Sequence, residues 1–131
     1  MKKRVLYYKG HGNEDAERLK TILEATVSKR RLDIHETVES LSRTLRQMGN
    51  GVVITVLFVG GREDLENILA ISDLLHDIYT ILILPDGDPE ILTNVHKLRP
   101  RFLSYVHSNF VDVATVLDKM YANINATSCR P

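Results

Sequence analysis

The chain has 131 residues, 44% hydrophobic and 26% charged, which supplies one core and is too short for two comfortable domains. Its 17 Lys and Arg balance 17 Asp and Glu, so no basic field points to nucleic acid or an anionic membrane as partner. The lone cysteine, Cys129, excludes an internal disulfide framework and a multi-cysteine zinc site, and it fits a reducing cytoplasm.

Met1-Lys2-Lys3-Arg4 is basic, but the apolar stretch Val5–Tyr8 that follows is too short for a secretion signal. No apolar run reaches the roughly 18–20 residues that cross a bilayer. Val5–Tyr8 instead reads as a first strand. Asn13 follows as an N-cap, Glu14 and Asp15 complement the positive helix end, and Ala16, Leu19, Ile22, Leu23 and Thr26 share one face. Leu32–Val38 is a second strand, whose alternation of apolar and polar residues suits a sheet edge. Leu41, Leu45 and Met48 mark a second helix that stops at Gly49-Asn50-Gly51.

Val52–Val59 is nearly all apolar, as expected of a central strand covered on both faces. Its helix turns Leu65, Ile68, Leu69, Ser72 and Leu75 inward, and Ile78–Leu84 is a second buried strand. Asp88-Pro89-Glu90 opens a fourth helix, which ends before Pro100. Phe102–Val106 is the fifth strand. Phe110, Val113, Ala114, Leu117, Met120, Tyr121 and Ile124 line the fifth helix.

This alternation predicts an α/β fold, a doubly wound (βα)5 three-layer sandwich. An edge second strand beside a central pair gives the parallel order 2-1-3-4-5 of flavodoxin-like folds. Residues 1–124 form the domain, and residues 125–131, without periodicity, read as a disordered tail or the start of a linker.

In such sheets ligands gather at the carboxyl ends of the strands, near the switch point between strands one and three. The chain reads Tyr7-Tyr8-Lys9-Gly10 there after strand one and Thr55-Val56-Leu57-Phe58 in strand three. Leu84-Pro85-Asp86 follows strand four, and Val106-His107-Ser108 follows strand five. The order and spacing of the units, from Lys3 to Ile124, resemble a response-regulator receiver domain. Receiver domains carry an acidic pair after strand one, a phosphate-accepting Asp ending strand three, a hydroxyl after strand four and a Lys after strand five. At those positions this chain has Tyr8 and Lys9, Val56, Pro85 and His107.

The resemblance therefore implies a pseudo-receiver that has lost the phosphorylation site. Without clustered carboxylates no oxygen cage forms for Mg²⁺. An aliphatic side chain cannot accept a phosphoryl group, and Thr55–Gly61 contains no acid that a small register shift would supply. The expected role is a protein-interaction module in signal transduction, of the kind found in two-component systems, with no catalysis, cofactor or metal. His11, His35, His76, His96 and His107 show no metal-binding i, i+4 pair.

An alternative role is an anion or small-molecule sensor. Lys9, Gly10, His11 and Gly12 form a glycine loop leading into a helix N-terminus, and Gly60, Gly61 and Arg62 lie beside it. The loop is neither a Walker loop nor G-x-G-x-x-G, and the same glycines suit a tight turn. Receiver-like domains pair through helix four, strand five and helix five, here Glu90–Tyr121. Its candidate contacts are His96, Lys97, Arg99, Tyr105, Asp112, Asp118 and Lys119, mixed in sign. They suit a homodimer or a protein partner such as a kinase or output domain.

Overall fold

Two apolar runs in the middle of the chain set the architecture. The computed structural model describes residues 4–10, 14–27, 31–48, 52–75, 78–84, 93–98, 100–105 and 110–128. In it these runs form β3 (Val52–Phe58) and β4 (Tyr79–Leu84). Ile54, Val56, Leu57, Ile81, Leu82 and Ile83 are wholly buried, as strands covered on both faces require. β1 (Arg4–Tyr8) lies beside β3 with β2 (Leu32–His35) beyond it, and β5 (Phe102–Tyr105) flanks β4. All the pairings are parallel and the order is β2-β1-β3-β4-β5, the flavodoxin-like arrangement read from the sequence.

Alternation along each strand sends successive side chains to two separate cores. α1 (Glu14–Thr26) and α5 (Val111–Ser128) cover Val5, Tyr7, Ile54, Val56, Phe58, Ile81 and Ile83. α2 (Val38–Met48), α3 (Arg62–Leu69) and a short α4 (93–98) cover Leu6, Tyr8, Leu57, Val59, Leu82 and Leu84. Each fully buried Leu or Ile contributes about 1.5–3 kcal/mol. These two cores therefore fix where the strand ends, and any site on them, must lie.

Three boundaries differ from the sequence reading by more than one residue. β2 ends at His35, not Val38, because Thr37 caps α2. Its Oγ1 accepts the Ser40 N–H at 3.1 Å and its carbonyl the Leu41 N–H at 3.1 Å. The helix after β3 stops at Leu69, where Ile71 N–H bonds the Ile68 carbonyl at 3.0 Å. A separate 3₁₀ turn, Ser72–Leu75, then carries Leu75 into the core. α5 continues to Ser128, past Ile124 and into the segment read as a tail; no Gly or Pro stands in its way. The Asn13 cap and the Asp88-Pro89-Glu90 helix start lie outside the described residues. Among the described residues no helix is long and apolar enough to cross a membrane.

Candidate functional site

β1 and β3 are neighbours whose connections leave their carboxyl ends toward opposite edges of the sheet, so the crevice beyond Tyr8 and Phe58 is the switch point. Tyr8 closes β1 with its side chain turned into the α2–α3 core and 3% exposed. Its hydroxyl donates to Asp64 Oδ1 at 3.4 Å. The Gly60 N–H, just past β3, donates to Asp64 Oδ2 at 2.9 Å. Asp64 stands in the first turn of α3 and is only 6% exposed. An acid thus reaches the crevice from a helix, although the ends of β1 and β3 carry none. Burial, then the charge and hydrogen bond of Asp64, push the Tyr8 phenol up to about 12.

The neighbouring glycines are explained by that carboxylate. Gly10 has φ +56, and a Cβ there would lie 3.2 Å from Asp64 Oδ2 and 3.3 Å from the Tyr8 hydroxyl. A Cβ on Gly60 would sit 2.7 Å from Asp64 Oδ2. At Gly61 a Cβ would meet nothing within 4 Å. Two of these loop positions are small because Asp64 lies against them; the third is not so constrained.

Lys9 points the other way. Its Nζ lies 2.6 Å from Glu17 Oε1 and 3.4 Å from Glu36 Oε1. The hydrogen bond with Glu17 leads in raising the Lys9 pKa above its ordinary value and lowering that of Glu17. Lys9 borders an open cleft of about 440 Å³ with Lys20, His35 and Glu36. The buried His35 ring places Nδ1 2.7 Å from Ser40 Oγ, tying β2 to α2. Burial holds this imidazole below its ordinary value, with the charge of Asp33 acting in opposition.

The geometry corrects several sequence expectations. Val56 lies within β3, wholly buried on the α1–α5 side, and does not border the crevice; the strand runs on to Phe58. Among the described residues the proposed anion pocket is not assembled as expected. The Lys9 ammonium is held by two carboxylates, the Gly60 N–H is given to Asp64, and the open side of Gly10 faces that same carboxylate. An incoming anion would meet like charge. Arg62 opens α3 beside Gly61. His11, Gly12, Pro85, Arg99 and His107, and the side chain of His96, lie outside the described residues.

On the far edge, Lys97, Asp118 and Lys119 are exposed, and Tyr105 is half-buried at the end of β5. The carboxylate of Asp112 is engaged within the domain. It accepts from Ser104 Oγ at 3.0 Å and from the Val113 N–H at 2.8 Å, while the residue itself is exposed. No group of three or more His, Cys, Asp or Glu able to hold a metal occurs among the described residues.

No family model and no curated protein matches the chain. A solved structure does: the 2.50 Å crystal structure of a Burkholderia pseudomallei protein provisionally named as pilus assembly-related. The match has a TM-score of 0.63 at 12% sequence identity, and it covers 92% of this chain and 90% of that one. At that identity the likeness establishes the fold alone.

Proposed function

We propose that this domain is a receiver-like module that takes no phosphoryl group and acts by docking another protein in signalling or regulation. The observation that carries the reading is the chemistry of the two strand ends: Tyr8 and Lys9 on β1, Phe58 on β3. None is a carboxylate that could cage a divalent cation or form an aspartyl phosphate, and Lys9 is already paired. In this reading the domain is no enzyme, holds no cofactor or metal, and works in the cytoplasm. The likeness to a protein named as pilus assembly-related supports a search for the partner among pilus-assembly proteins.

Incubation with acetyl phosphate and Mg²⁺, followed by intact-mass measurement, tests the first half. The expected product is unmodified chain; a hydroxylamine-labile phosphoryl adduct would sink the reading. The docking face is proposed as α4, β5 and α5, with Lys97, Asp118 and Lys119 as its charged contacts. A homodimer through it should weaken on Lys119→Glu when followed by light scattering. A species that is monomeric at every concentration would confine the face to other partners.

A further inference from the structure

We infer that the Asp64 side chain is the crevice's own ligand: a carboxylate carried in by α3 that occupies the switch point and holds Tyr8 and Gly10 at the end of β1 and Gly60 after β3 in a single state. Open α/β sheets offer this place to external ligands because strand-end N–H groups and a helix start converge there. Here the Gly60 N–H is satisfied at 2.9 Å by the domain's own acid, and the Tyr8 hydroxyl adds a donor from the opposite strand at 3.4 Å. The contact links β1, the β3 loop and the first turn of α3 through one side chain.

The fit is close on every side the structure describes. Asp64 is 6% exposed, Tyr8 3% exposed, and the positions a β-carbon would take on Gly10 and Gly60 both face the carboxylate. A buried carboxylate is costly unless hydrogen-bonded, so its presence here constrains the surrounding backbone. The consequence is a domain whose crevice needs no effector to be set. An external carboxylate or phosphate gains entry only where Asp64 leaves. This inference concerns the occupancy of the crevice and stands whether or not the α4–β5–α5 face docks a partner.

Chemical rescue in the full chain tests it. Acetate and inorganic phosphate, titrated to millimolar concentration at constant ionic strength, should leave the amides of Tyr8–Gly10 and Gly60–Leu65 unmoved in the wild type. In Asp64→Ala the same amides should broaden by exchange, and at least one of the two anions should shift them saturably and sharpen them. Saturable shifts in the wild type, or none in a folded Asp64→Ala protein, would overturn the inference. Where Asp64→Ala fails to fold, Asp64→Asn decides. The Gly60 amide proton should move upfield and exchange faster with solvent as it loses its ionised acceptor; an unchanged Gly60 signal counts against the latch.

Discussion

Gly60 and Gly61 are adjacent and look equivalent, yet alanine should separate them sharply. At Gly60 the new β-carbon would lie 2.7 Å from Asp64 Oδ2, closer than packed atoms approach. The backbone there is not in the left-handed region, so the clash is the whole perturbation of the folded state. A carboxylate at the end of a free side chain would swing aside cheaply. This one is 6% exposed and tethered by the very N–H that belongs to Gly60, so moving it gives up the 2.9 Å bond. Compression costs about 1–3 kcal/mol, and loss of a hydrogen bond to a charged group costs about 1.5–3 kcal/mol. The two are alternatives rather than a sum, which puts the clash in Gly60→Ala at about 1.5–3 kcal/mol. Gly61 has φ 170, extended backbone open to any residue, and its β-carbon would stand in open space. Gly61→Ala should therefore stabilise by about 0.4–1 kcal/mol through the unfolded chain's lost freedom. The unfolded-chain gain is common to both variants, so urea denaturation at pH 7 should show a gap of about 1.5–3 kcal/mol, the clash alone, with similar m-values. Two variants within about 0.5 kcal/mol of each other, or the larger loss at Gly61, would refute the reasoning.

Gly10→Ala meets both obstacles, φ +56 and the Asp64 carboxylate at 3.2 Å, and the left-handed backbone alone should cost about 1–2 kcal/mol by urea denaturation. Tyr8→Phe removes a long 3.4 Å bond and should cost about 1 kcal/mol; it should also delete one late-titrating phenol from the ultraviolet titration, since burial and Asp64 push Tyr8 up to about 12. His35 gives a pH signature of definite sign. Its folded-state pKa lies below the ordinary 6.5, so on acidification the unfolded chain binds the proton first. This contribution to stability is full above pH 6.5, falls as the pH drops from there toward the folded-state value, and is level below it. The Tm profile of His35→Asn should be flatter than wild type over that window, and parallel profiles would remove His35 as the cause.

The fold was legible because its signals are collective. Val52–Val59 announces a buried strand through an unbroken apolar run, and the alternation in Leu32–His35 announces an edge; no single contact decides either. Boundaries were less legible where one polar residue has two uses. Thr37 extends a β-like run in the sequence, but its hydroxyl gains more as the cap of α2. The crevice was the least legible part, for a reason of register. Alignment with the receiver pattern placed Val56 at the site although the apolar run itself reached Val59; β3 runs on past Val56 to Phe58, and the Val59 N–H still bonds the Ile83 carbonyl at 2.9 Å. That extension brings Gly60 alongside the first turn of α3. Asp64 there looks like an acid placed for the helix dipole, paired in sequence with Glu63. Its spacing says otherwise: Asp64 is four residues before the buried Ile68 and so shares the core-facing side, with Leu65 next to it. An acid at that phase must find donors inside the protein, and the nearest loop offering an N–H with no side chain in the way is the one that begins at Gly60.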